Sequence, residues 1–309
     1  MKKNLIIFSF LLFLIGCDSP EDKKGRFLLK GNEKLQKNDY KSARTFYEEA
    51  LKVDPNFADA YYNRGLTLKM TADYEQAIQD FTQAISLKED YADAYYQRSL
   101  SYLDHGENYK SLEDAKSLIK LENQSGRGYF VLGLGYEALK NYEEALDAFS
   151  SALQWDGDNV DLYVNRATIH YYLGESESAL ADLKKAESLN SEESNIYNLY
   201  SMIAFDQGDY QAAYDRVQQA LALNSNQPYF YNNRGLYQMY LGNLEDGLED
   251  VNLSLKQNSK NLYALRNKGI YYALSGDQEL ASKYLQEVFD SNPDLPLTKE
   301  YLDKVSVEN

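Results

Sequence analysis

Few residues in this chain are of a kind that does chemistry. Cys17 is its only cysteine, and His105 and His170 are its only histidines. One thiol excludes an intramolecular disulfide and a cysteine-based metal cluster. Two histidines leave little material for a metal site or a histidine base. His105 falls near the end of an amphipathic segment, and His170 takes a packing position filled elsewhere by Tyr102 and Tyr136, so both read as structural. Asp156-Gly157-Asp158-Asn159-Val160-Asp161 is rich in oxygen ligands but lacks the spacing and closing glutamate of a calcium loop. Asp and Gly are also the ordinary residues of a turn. There is no phosphate-binding glycine loop and no HExxH pair. The expectation is a protein that is not an enzyme, with no cofactor, no metal and no small-molecule substrate.

Composition narrows the choice further. The 309 residues carry 32 Lys and Arg against 48 Asp and Glu, a net charge of −16, which repels phosphate backbones and argues against nucleic acid as a partner. Hydrophobic residues at 44% and charged residues at 26% suit a folded globular chain. The anomaly is 29 tyrosines beside one tryptophan.

The N-terminus stands apart from the fold. Met1-Lys2-Lys3 is positive, and Leu5 to Ile15 is an apolar run interrupted only by Ser9. That run is too short to cross a hydrocarbon core of about 30 Å and reads as a secretory signal. Leu14-Ile15-Gly16-Cys17 resembles the lipobox of bacterial lipoproteins. The resemblance implies a signal peptide over residues 1–16, lipidation of Cys17, and anchorage in a membrane of the bacterial cell envelope through several acyl chains, since one chain alone binds marginally. Residues 17–23 then form the lipidated cysteine and a polar tether. Asp18 resembles the inner-membrane retention signal of enteric bacteria, while in other groups acidic residues here accompany export to the surface, so the leaflet stays open.

From Lys24 to Leu295 the chain repeats itself every 34 residues, eight times, without insertion. The copies are 24–57, 58–91, 92–125, 126–159, 160–193, 194–227, 228–261 and 262–295. Column four is aromatic in seven copies, from Phe27 and Tyr61 to Tyr231. Column eight is small throughout (Gly31, Gly65, Ser99, Gly133, Ala167, Ser201, Gly235, Gly269), and so is column twenty. Small residues at these two places let two antiparallel helices approach closely. Column fifteen carries Gly106, Gly174, Gly208, Gly242 and Gly276, where a positive φ would end the first helix. A second helix follows with apolar spacing such as Ala77, Ile78, Phe81, Ala84 and Ile85. The third copy, with Ser111, Ala115 and Leu118 at second-helix positions, should pack less regularly. Residues 296–309 read as a capping helix and tail, opened by Pro296 with Leu297, Tyr301 and Leu302 on one apolar side.

These columns resemble the tetratricopeptide repeat (TPR) family. The resemblance implies an all-α, right-handed superhelical solenoid of eight helix-turn-helix repeats, whose first helices line a concave groove. By family geometry, columns two, five, nine and twelve face it. Column five supplies Tyr62, Tyr96 and Phe130; column nine supplies Leu66, Leu100 and Leu134; column twelve supplies Tyr171, Phe205 and Met239; Asp59 and Asp93 lie along one edge. Such a surface implies a protein or peptide partner, with Lys or Arg beside its apolar anchors. The same residues could instead pack between adjacent first helices, leaving little exposed; and the chain could be a structural subunit of an obligate envelope assembly, both faces buried, with no free ligand groove. The recurring pairs Asn63-Arg64, Asn165-Arg166 and Asn233-Arg234 invite comparison with the carboxylate clamp of chaperone-binding members. Leu28, Asp93 and Gln97 stand where the clamp has cations, so these arginines are expected to pair with Asp80 or Asp114 instead.

Overall fold

The computed structural model describes residues 19–307. The leader, Cys17 and the first tether residues lie outside them. The chain divides into two compact units, 1–139 and 140–309. Among the described residues every element is a helix. In the first unit these are α1 (Pro20–Gln36), α2 (Tyr40–Val53), α3 (Ala58–Met70), α4 (Tyr74–Leu87), α5 (Ala92–Asp104), α6 (Asn108–Leu121) and α7 (Arg127–Ala138). The second holds α8 (Tyr142–Leu153), α9 (Val160–Tyr172), α10 (Ser176–Leu189), α11 (Ser194–Asp206) and α12 (Tyr210–Leu223). It continues with α13 (Pro228–Tyr240), α14 (Leu244–Gln257), α15 (Leu262–Ser275), α16 (Gln278–Ser291) and α17 (Thr298–Val307).

Each unit is an all-α solenoid. A first helix pairs with the second helix of its own repeat (α3 with α4, α13 with α14) and packs on the next first helix (α3 on α5, α13 on α15). The turn inside each repeat follows from column fifteen. All eight of its residues have positive φ: the five glycines, and also Asn38, Ala72 and Lys140. Glycine enters this region without strain, whereas a side chain there costs roughly 1 kcal/mol. An acid or amide follows at once and caps the second helix, as when Asp39, Asp209 and Asp277 accept from backbone N–H groups. Small columns eight and twenty set the crossing distance. A Cβ on Gly235 would lie 2.6 Å from the Gly247 carbonyl oxygen, so α13 and α14 touch backbone to backbone.

Two expectations need correcting. The tether is shorter than residues 17–23, because α1 already begins at Pro20. Ser19 accepts from the Asp22 N–H at 3.1 Å and Asp22 accepts from the Ser19 N–H at 3.3 Å, a capping box that starts the helix. The third repeat is closed, not irregular. Ser99, Ser111, Ala115 and Leu118 are all fully buried, and the Ser99 hydroxyl donates to the Ser111 carbonyl at 2.8 Å, so a hydrogen bond replaces a small apolar contact.

Candidate functional site

In the first unit the first-helix face is aromatic and leucine-rich. Tyr62, Leu66, Tyr96, Leu100, Phe130 and Leu134 are each half-buried. The Tyr62 ring lies 5.0 Å from Tyr91 and 5.9 Å from Phe81, and burial pushes its phenol up to about 12. The Arg127 guanidinium sits 4.6 Å over the Tyr96 ring. The same Arg127 pairs with Asp93 at 2.7 Å and Glu122 at 3.3 Å, while the Tyr91 hydroxyl donates to Asp59 at 3.0 Å. Both acids are therefore engaged within the unit. Arg127 thus offsets Asp93, the fourth repeat placing an arginine where the two before it have aspartate, while Asp59 is met by a neutral tyrosine hydroxyl.

Column twelve holds two charges that the sequence reading passed over. Lys69 donates to Gln97 at 3.4 Å and approaches Asp104 at 3.9 Å; burial holds its ammonium below its usual pKa. Burial alone raises Glu137 to about 7. The signal for both was a charge in an otherwise apolar column.

The arginines of the Asn-Arg pairs are engaged within their own repeats. Arg64, Arg98, Arg166 and Arg234 each hold the aspartate sixteen residues on (Asp80, Asp114, Asp182, Asp250) through two bonds of 2.6–2.7 Å. Each is a fork-to-carboxylate bond from first to second helix of one repeat. In three of the four repeats without the aspartate, a cation meets a ring at the same two columns (Lys30 over Phe46, Arg216 over Tyr200, Lys268 over Tyr284); the fourth repeat has Leu132 and Ala148 there instead. Asn63 and Asn165 donate to carbonyls one turn back, at Asp59 and Asp161.

The second unit fills the corresponding face. Phe205 stacks on Tyr237 at 5.1 Å and meets Tyr240 edge-on at 5.0 Å and Tyr210 at 5.4 Å. Tyr171 is hydrogen-bonded to Asp206, and burial raises its phenol strongly. Met239 is not a groove residue. It is 3% exposed, its Cγ 2.7 Å from where a Cβ on Gly247 would stand, because the two helices cross so closely. Columns five and six here form an amide chain along the first helices: Asn233 donates to Asn198, Asn232 to Asn233, and Asn267 to Asn232 at 2.8 Å. Arg266 closes it. Its Nε and Nη2 donate to Asn267 Oδ1 and its Nη1 to the Pro296 carbonyl. Thus the alternative weighed for column five, packing between first helices, holds in this unit.

The histidines sit beside carboxylates, His105 by Glu107 at 3.1 Å and His170 by Glu175 at 2.6 Å. Asn159 in the Asp-rich turn caps α9. Among the described residues no group of three potential ligands could hold a metal, and no helix is long and apolar enough to cross a membrane.

Family models described as TPR repeat and tetratricopeptide repeat match residues 31–71, 58–91, 126–159 and 164–228, together more than half of the chain. Among solved structures, a chain of the APC/C hetero-tetramer Cut9-Hcn1 is similar at TM-score 0.68 and 16% identity, over 90% of this chain. This chain spans just 55% of that one. The pilF protein of Pseudomonas aeruginosa is similar at TM-score 0.55 and 18% identity, over 71% of this chain and 97% of its own. MamA from Desulfovibrio magneticus RS-1 gives 0.52 and 18%, over 57% and 99%. These likenesses show the fold. No curated protein matches the sequence.

Proposed function

We propose, for a chain that belongs to the tetratricopeptide repeat family, a role as a lipid-anchored adaptor that holds a protein or peptide partner at the bacterial cell envelope. The observation that carries the partner reading is the row Tyr62, Leu66, Tyr96, Leu100, Phe130 and Leu134, half-buried on successive first helices. Rings and leucines in this state keep apolar area available for a partner at small entropic expense. Repeats of this family are interaction scaffolds, and the Cut9-Hcn1 hetero-tetramer is a protein assembly by its own description. The partner should bind this row mainly by apolar contact, since Asp59 and Asp93 are already engaged.

The anchor reading rests on Leu14-Ile15-Gly16-Cys17 and on Cys17 being the sole cysteine. Replacing Cys17 with Ser and fractionating cells tests it: the variant should leave the membrane fraction, and firm retention there would sink the anchor. The row is tested by Tyr62→Ala, Tyr96→Ala and Phe130→Ala against a captured partner. Affinity should fall by more than about 1 kcal/mol in two of the three with folding intact. Unchanged affinity with collapsed stability would make the rings solenoid core.

A further inference from the structure

Arg266 is 4% exposed, the most deeply buried charge among the described residues, and it has no carboxylate. Its three hydrogen bonds run to neutral acceptors, Asn267 Oδ1 and the Pro296 carbonyl. Burial draws its pKa down to about 10, and tyrosines, Tyr263, Tyr240, Tyr237 and Tyr171 foremost, act on its charge. The same unit shows what its other helix-pairing arginines receive, since Arg166 and Arg234 are each forked onto an aspartate. A guanidinium taken out of water without a counter-charge is costly to the fold that holds it.

The recess around Arg266 has a roof. α17 packs on α15 and α16, in the place a ninth first helix would take. It is seated by Tyr301, 6% exposed, and Val305, 1% exposed, and the Tyr301 hydroxyl donates to the Tyr240 hydroxyl at 3.1 Å. The chain enters this helix through Leu297 at φ 67°, a left-handed conformation that a leucine adopts at a cost. The segment leading into α17 offers Arg266 one carbonyl dipole, that of Pro296, and α17 itself brings the neutral Tyr301 near it.

We propose that the recess under α17 is a second peptide site, selective for a helical segment that brings a carboxylate to Arg266, and that α17 occupies it when no such partner is present. The proposal rests on the peptide-binding reading of the fold and adds the ligand chemistry. A carboxylate would meet the guanidinium with charge-assisted bonds that a carbonyl cannot match. The partner must also replace the apolar seat that α17 gives up. It therefore needs an aromatic residue and an aliphatic one four positions on, as Tyr301 and Val305 are, with the acid just before the helix, where the helix dipole also favours it. The difference in affinity between partner and roof, not the partner's affinity alone, decides which is bound.

The test uses the full chain with the roof undocked by Tyr301→Ser and Val305→Ser, and fluorescent peptides of residues 293–307 carrying Pro296→Asp or Pro296→Asn. The undocked chain should bind the Asp peptide at least tenfold more tightly than the Asn peptide, and at least tenfold more tightly than the unaltered chain binds it. Arg266→Met in the undocked chain should bring the two peptides level. Equal affinities with Arg266 present overturn the carboxylate anchor and leave the broader peptide-binding reading standing. Binding of neither peptide to a folded, undocked chain overturns the site. A second measurement needs no undocking: Pro296→Asp should raise the unfolding midpoint of the chain with Arg266 and not with Arg266→Met, and equal shifts in both would overturn the pairing.

Discussion

The first helices of the two units answer the same geometric question with different chemistry. In the first unit column five is Tyr62, Tyr96 and Phe130, and rings fill the seams while staying half-exposed. In the second it is Val164 and then Asn198, Asn232 and Arg266, and from Asn198 on an amide chain knits the helices together with Asn232 and Arg266 buried. Rings packed in a seam tolerate an approaching apolar surface, because dispersion does not demand a particular partner. Amides do demand one: each buried donor or acceptor left alone costs about 1–3 kcal/mol. The first face is therefore suited to sharing itself, and the second is committed to its own neighbours.

The largest expected effect breaks the committed side. Asn267→Ala removes the oxygen that accepts from Arg266 Nε and Nη2 and strands a buried guanidinium. Unfolding free energy should drop by about 3–5 kcal/mol, with hydrogen exchange accelerated first in α13 to α17. A midpoint within error of the parent would mean that the amide chain is ornamental. The next effect, in the first unit, depends on pH. Burial raises the Glu137 carboxyl from its ordinary 4.5 to about 7, so the fold favours its neutral form. That preference is fully present below about pH 4.5 and is lost as the pH rises through 7, leaving the carboxylate an expense of about 3 kcal/mol at pH 8. Glu137→Gln should therefore raise stability at pH 8 by about that amount and leave it unchanged at pH 4; equal effects at both would dismiss the burial account. The smallest effect is Ala72→Gly. Ala72 sits at φ 58° where five repeats use glycine, so the substitution should stabilise the first unit by up to about 1 kcal/mol, with Gly242→Ala the reverse in the second.

What could be read from the residues alone was whatever recurs. Column fifteen announced its turn through five glycines, and the structure extends it to Asn38, Ala72 and Lys140, which no preference for glycine could reveal. The pairing of Arg64 with Asp80 and of Arg98 with Asp114 was legible because both partners recur sixteen residues apart. What escaped is what happens once. Asn232 and Arg266 carry no repeat signal, and both bond to Asn267, Asn232 from the preceding first helix and Arg266 from the same one. Arg127 pairs with Asp93, its own column one repeat earlier, and a column read for residue type alone does not show a contact between two of its members. Met239 shares a column with Tyr171 and Phe205, yet it is buried because Gly235 and Gly247 draw its helix inward.

The clasp between column seven and column twenty-three has a consequence for how this chain can change length. Whether built from arginine and aspartate or from a cation and a ring, its main contact closes within a single repeat, and Arg98 and Arg166 add no more to the preceding repeat than one hydroxyl bond each, to Thr82 and Ser150. In the Tyr200–Arg216 pair the cation and the ring have even exchanged sides. A segment fastened privately can be duplicated or excised whole, since the incoming neighbour presents the same small and aromatic columns at the same spacing. The amide chain of α11, α13 and α15 is the opposite kind of join, reaching from each repeat into its successor. Gains and losses of 34 residues should accordingly be absorbed among the clasped repeats ahead of that chain, while the run from Asn198 to Pro296 is inherited as one piece.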